Sequence, residues 1–129
     1  MTTVRVEHVA LWARDVDAVC AFYVEHLGAL AGERYVNPAK GFSSRFLSWG
    51  SGSARIEVMH RPGLVAADRD AWGWAHVALS LGSEQAVGVA AVRLAAAGVE
   101  LVDGPRRTGD GYYECVVLDP EGNRVELTA

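Results

Sequence analysis

The stretch "EHVALWARDVDAV", Glu7 to Val19, returns as "AHVALSLGSEQAV", Ala75 to Val87. His8 and His76 stand 76 − 8 = 68 residues apart, and the pair Ala18-Val19 returns at Ala86-Val87 with the same offset. "RIEV" (Arg55 to Val58) returns as "RVEL" (Arg124 to Leu127) after 124 − 55 = 69 residues. One residue of drift over half a chain marks an internal duplication. Only two copies of so long a period exclude a solenoid array and call for a fold built from two like modules. With 129 residues and 50% hydrophobic content, the pair has the material for one domain's core.

Both copies carry the same succession of signals. Val4 to Trp12 alternates as a strand, Asp15 or Asp17 is placed to cap a helix through "AVCAFYVEHL", and Gly28 is placed to stop it. In the second copy "WAHVALSL" is the strand, Ser83 the cap, "AVGVAAVRLAA" the helix and Gly98 the stop. Three strand candidates follow each helix: "ERYV", "SRFLSWG" and "ARIEVM", then "VELVDG", "YYECVVL" and "NRVELTA". "SGS" and "DPEGN" supply tight turns. The expectation is an α+β fold of two tandem βαβββ modules, residues 1–62 and 72–129, joined by a linker over 63–71 within one domain. Their sheets would form a curved, partly closed mixed sheet around a cavity.

Charge narrows the partners. A net charge of −4 offers no basic stripe to neutralise phosphates, which argues against nucleic acid. No apolar run approaches the roughly 20 residues of a membrane span. The N-terminus runs into strand-like alternation without a signal-peptide pattern, so a cytoplasmic protein is expected, with a small molecule as its substrate. Cys20 and Cys115 sit in apolar segments without a CxxC pattern, as buried thiols of a reducing compartment do.

Alternation also decides which way the polar residues point. In the first strand Val9 and Leu11 share one face, and His8, Ala10 and Trp12 the other; in "RIEV" Ile56 and Val58 oppose Glu57. The second copy sets Val77 and Leu79 opposite His76, and Val125 and Leu127 opposite Glu126. If the apolar faces pack on the helices, two imidazoles and two carboxylates occupy the other side, on the first and last strand of each module. Imidazole with carboxylate suits a divalent ion such as Ni, Co, Zn, Mn or Fe. His8, Glu57, His76 and Glu126 are therefore the expected ligands.

At "EHVALWARDVDAVCAFYVEHLG", "ARIEV", "AHVAL" and "VVLDPEGNRVEL" the chain resembles the vicinal oxygen chelate superfamily, over nearly its whole length from Val4 to Leu127. That superfamily includes glyoxalase I, bleomycin-resistance proteins and extradiol dioxygenases. The resemblance implies paired βαβββ modules with metal ligands at the positions of His8, Glu57, His76 and Glu126, a set similar to that of bacterial glyoxalase I. It further implies a metal-dependent lyase or isomerase working through an enediolate, with Glu126 as the base and Glu57 as its pseudo-symmetric counterpart. Relatives complete the site within one chain or across a two-fold axis, so a homodimer is expected. Where bacterial glyoxalase I has a glutathione-holding Arg and Asn, this chain has Trp12 and Arg61. Those two, with Arg106 and Arg107 in a second expected loop, are the candidate substrate contacts. A drug-sequestering protein of the bleomycin-resistance type is the alternative function. A non-haem dioxygenase is third, because its facial triad uses one carboxylate where this chain has two.

Overall fold

In the computed structural model, which describes residues 2–129, strand β1 (His8–Trp12) leads into helix α1 (Val16–Leu27). Asp15 starts that helix by accepting a hydrogen bond from the Ala18 amide at 3.0 Å, which satisfies one of the amides a first turn leaves open. Gly28 ends it in the left-handed conformation at φ 71. Val16, Val19, Cys20 and Tyr23 repeat at helical spacing, and all four are buried. Beyond the helix come β2 (Leu30–Ala31), β3 (Tyr35–Asn37), β4 (Phe42–Ser48) and β5 (Arg55–His60).

The first sheet runs β1-β5-β4-β2, with β3 also on β4. Its first and last strands are neighbours in parallel register, Val9 opposite Ile56 and Leu11 opposite Val58. Leu47, Ile56 and Val58 are buried on the face that α1 covers. Each such fully buried aliphatic side chain contributes on the order of 2 kcal/mol. Of the strand expected at "ERYV" only Tyr35 and Val36 are in one, β3, and a separate short strand, β2, precedes it. Leu30 pairs with Ser48 and Asn37 with Phe42, so β2 and β3 lie along opposite ends of β4. Between them the Gly32 amide still bonds to the Phe46 carbonyl at 2.8 Å, while Arg34 turns aside to Asp17 and Ser43.

The second half repeats the plan with β6 (Val77–Ser80), α2 (Glu84–Ala96), β7 (Leu101–Arg107), β8 (Tyr113–Leu118) and β9 (Arg124–Thr128) in the order β6-β9-β8-β7. Ser83 caps α2 through the Ala86 amide at 3.1 Å. Val87, Ala90, Ala91 and Leu94 form the buried stripe, at the same spacing as in α1. Val117, Val125 and Leu127 are its partners in the core. Among the described residues there are thus two helices and nine strands in two mixed sheets, neither of which closes on itself. The chain divides into two units, Met1–Ala66 and Ala67–Ala129.

Strand β7 departs from expectation by running on to Arg107, so Arg106 and Arg107 stand on a strand and not in a loop. Two register shifts accommodate the extra length, and Gly104, within the second of them, adopts φ 74. Pro105 can follow because β7 is an edge strand, where a missing amide donor costs no ladder bond. Among the described residues no helix is long and apolar enough to cross a membrane.

Candidate metal centre

Parallel pairing of the first and last strands brings histidine and glutamate together twice. In the first unit Ala10 lies opposite Glu57, so His8, Ala10 and Trp12 share the face of Arg55, Glu57 and Met59. His8 Nε2 is 3.6 Å from Glu57 Oε1. In the second, Ala78 lies opposite Glu126, and His76 Nε2 is 3.2 Å from Glu126 Oε2. In both, the histidine stands two residues before the strand partner of the glutamate. The apolar residues between them, Ile56 and Val58 or Val125 and Leu127, are buried on the opposite face. The two-residue alternation therefore reads correctly.

Both pairs have the separation of neighbouring ligands on one ion. Two bonds of about 2.1 Å meeting at about 100° put their donor atoms about 3.2 Å apart, and the 3.6 and 3.2 Å distances lie close to that. The glutamates are mostly shielded, their side chains 17% and 16% exposed, while His8 and His76 are 38% and 40% exposed. Borderline nitrogen and hard oxygen donors fit a divalent ion. Among the described residues, no group of three or more His, Cys, Asp and Glu gathers to hold a metal. Each unit brings together one histidine nitrogen and one glutamate oxygen.

The surroundings of the pairs differ. Beside the first, the His8 ring meets Phe46 edge-on at 5.2 Å. Beside the second stands Glu114 on β8, a residue the sequence reading missed. Its carboxyl is held above the ordinary range, chiefly by a hydrogen bond to the Glu126 carboxyl. A signal was available: Cys115 and Val117 are the buried residues of "YECVV", so alternation sends Glu114 and Val116 to the face of Glu126.

Trp12 lies on the face of His8, 44% exposed, with the Arg61 guanidinium 4.9 Å above its ring and Phe42 edge-on at 6.4 Å. Phe42 in turn meets Tyr35 at 6.1 Å. Trp12, a candidate substrate contact, thus sits in an aromatic cluster with two further rings. Arg106 pairs with Asp103 at 3.0 Å, and Arg107 with Glu84. His60 makes a 2.8 Å hydrogen bond through Nδ1 to the Ala13 carbonyl. Trp49 donates its indole N–H to the Leu27 carbonyl at 2.8 Å, helping to close the end of α1.

The fold recurs in known structures. A glyoxylase/bleomycin resistance protein/dioxygenase domain from Frankia sp. EAN1pec superposes with a TM-score of 0.83 at 22% identity, covering 98% of each chain. The trypanothione-dependent glyoxalase I of Leishmania major gives 0.80 at 22% identity, over 98% of this chain and 86% of that one. Glyoxalase I from Zea mays gives 0.81 at 21% identity, over 96% of this chain but only 44% of its own. No curated protein sequence matches the chain significantly. The family model described as Glyoxalase/Bleomycin resistance protein/Dioxygenase superfamily matches residues 5–127. With nearly its whole length matched and the paired-module fold in place, the chain belongs to the Glyoxalase/Bleomycin resistance protein/Dioxygenase superfamily.

Proposed function

We propose that the chain is a divalent-metal-dependent lyase or isomerase of the glyoxalase type, acting on a small oxygenated molecule. One observation carries the reading: a histidine nitrogen and a glutamate oxygen stand at ligand spacing in each of two repeated units, 3.6 and 3.2 Å apart. His8, Glu57, His76 and Glu126 would together hold Ni, Co, Zn, Mn or Fe once the two pairs face one site, within one chain or across a homodimer. When bound, the ion supplies Lewis-acid stabilisation of the negative charge that develops on two neighbouring substrate oxygens.

The chain's own residues do the rest. A carboxylate oxygen of Glu126 takes the proton from the hydroxyl-bearing carbon beside the carbonyl and delivers it to the former carbonyl carbon, while the hydroxyl proton passes to the former carbonyl oxygen, so the substrate is rearranged with no net gain or loss. Glu57 stays as ligand. Glu114, hydrogen-bonded to Glu126, holds that carboxyl in place. Trp12 and Arg61 flank the substrate with an aromatic face and a cation. Arg106 and Arg107, already engaged by Asp103 and Glu84, are lesser contacts. A reducing, cytoplasmic setting suits the two free thiols, Cys20 and Cys115.

Elemental analysis of the protein purified without added metal tests the centre. About one equivalent of a divalent transition metal per site, lost in His8→Ala, supports the reading; a metal-free wild type opposes it. The reaction is tested by NMR in deuterated water, with a panel of small 2-hydroxy aldehydes and ketones and their thiol adducts. Protein-dependent exchange of the carbon-bound proton next to the carbonyl is the expected result. Light scattering tests the homodimer, and a dilution-stable monomer with full metal content would exclude a site shared between chains. The half-exposed cluster of Trp12, Phe42 and Tyr35 favours one second reading, sequestration of a flat drug-like molecule. A metal-free protein whose tryptophan fluorescence such a compound quenches would support it.

A further inference from the structure

The repeat is unequal at one position next to the candidate ligands: "EHVAL" in the first copy is "AHVAL" in the second, Glu7 against Ala75. Glu7 Oε1 lies 3.2 Å from His8 Nδ1. A carboxylate only accepts, so Nδ1 must carry the proton in this bond, and the lone pair is left on Nε2, the nitrogen that faces Glu57. Glu7 is itself gripped. Arg55 donates to the same oxygen through Nε at 3.2 Å and again through Nη2. The Arg55 guanidinium in turn lies 4.0 Å above the Phe46 ring, which the His8 imidazole meets edge-on at 84°. Carboxylate, guanidinium, phenyl and imidazole thus form a closed circuit around one ring.

We infer that Glu7, clamped by Arg55, is a positioning residue that fixes His8 with its proton on Nδ1 and presents Nε2 for metal beside Glu57. The inference rests on the proposed metal centre for its purpose, but the tautomer itself does not depend on metal. In the second unit the circuit is absent. Ala75 has no acceptor, and Arg124, the counterpart of Arg55, reaches Asp70 Oδ1 at 3.2 Å and the Arg69 carbonyl at 3.3 Å. The two half-sites are therefore not equivalent. His8 is the preoriented ligand, and His76 pays more of its ordering when an ion arrives. Partners of this outer kind are typically worth about 10- to 100-fold in metal affinity.

The test uses the full chain with ¹⁵N-labelled histidine, wild type against Glu7→Ala. Glu7 is exposed, so the variant should fold, and an unchanged thermal melt checks that. In metal-free wild type at a pH where the imidazoles are neutral, the ¹⁵N shifts of His8 should show the Nδ1–H form in excess. In Glu7→Ala they should move toward the Nε2–H form that free imidazole side chains prefer, while those of His76 stay unchanged as an internal reference. Zn²⁺ affinity, measured by competition with a chromophoric chelator, should fall about tenfold or more in the variant. Unchanged His8 shifts would overturn the inference, and so would Zn²⁺ affinity within twofold of wild type. A wild type that takes up no Zn²⁺ would instead overturn the proposed metal centre, leaving the tautomer measurement to decide the role of Glu7.

Discussion

The carboxyls of Glu114 and Glu126 are hydrogen-bonded to each other across neighbouring strands β8 and β9. Such a contact requires a proton between them, and it holds the Glu114 carboxyl above its ordinary 4.5. A group raised in the folded state stabilises the fold below its unfolded value, and that contribution is lost as pH climbs through the folded one. Glu114→Gln keeps a donor toward Glu126 without a proton to lose. The variant should therefore be more stable than wild type at pH 7 and lose that advantage below pH 4.5, as thermal melts at the two pH values would show.

Asp17 has the opposite sign. Arg34 first, then Arg45, hold its carboxyl below the ordinary 3.8, tying the start of α1 to the β2–β3 connection and to β4. Its contribution is present above pH 3.8 and fades as pH falls through the lowered value. Because Asp17 is 64% exposed, Asp17→Asn should cost only about 0.5 kcal/mol at pH 7 and low salt. Urea titrations should show the wild type and variant converging as pH falls below the lowered value, and also in high salt.

The two glutamates of the candidate centre should separate by role. Glu126→Gln is expected to keep most of its metal and lose about 10²- to 10⁴-fold in kcat, the usual worth of a general base. Glu57→Gln should weaken metal binding more than it slows turnover per bound metal. Equal loss of kcat at full metal loading would assign the proton transfer to both.

Gly104 is the glycine whose replacement should hurt most. An added Cβ would stand 2.5 Å from the Glu114 carbonyl oxygen, on a backbone already at φ 74. Gly104→Ala should cost about 3 kcal/mol or more, from strain plus the clash. Gly28→Ala, at a similar φ but with open space around it, should cost about 1 kcal/mol. Denaturant midpoints of the two variants give the comparison.

Cys20 and Cys115 are almost completely buried, and burial raises both thiols. Neither should react with a disulfide reagent in the native state, and both should react after denaturation. Thiol modification at the rate of a free cysteine would mean that the helix or strand carrying it opens readily.

The modules were legible because duplication supplied two readings of each element. Caps at Asp15 and Ser83, the stop at Gly28 and the inward residues of β5 and β9 all follow from local chemistry that a chain segment expresses alone. What escaped were features decided by a neighbouring strand. The break between β2 and β3 depends on how Arg34 reaches Asp17, and the extension of β7 past Pro105 depends on bulges against β8. The histidines and glutamates could be placed on their faces from alternation, since a face needs only the strand. Glu114 and Glu7 were overlooked because their importance lies in a cross-strand partner, Glu126 for one and Arg55 for the other.

The parallel pairing of β1 with β5, and of β6 with β9, has a kinetic side. His8 opens edge strand β1 and His76 directly precedes edge strand β6, and the glutamate that each faces on the neighbouring strand is about fifty residues further along, since 57 − 8 = 49 and 126 − 76 = 50. Such contacts close the largest loops in their modules, and entropy places them late in folding and early in partial opening. The hairpins β4–β5 and β8–β9 can persist while β1 or β6 peels away with its imidazole. Ligand geometry would then be the most fragile property of the fold, lost by fraying of one short strand while the helices and central strands stay intact.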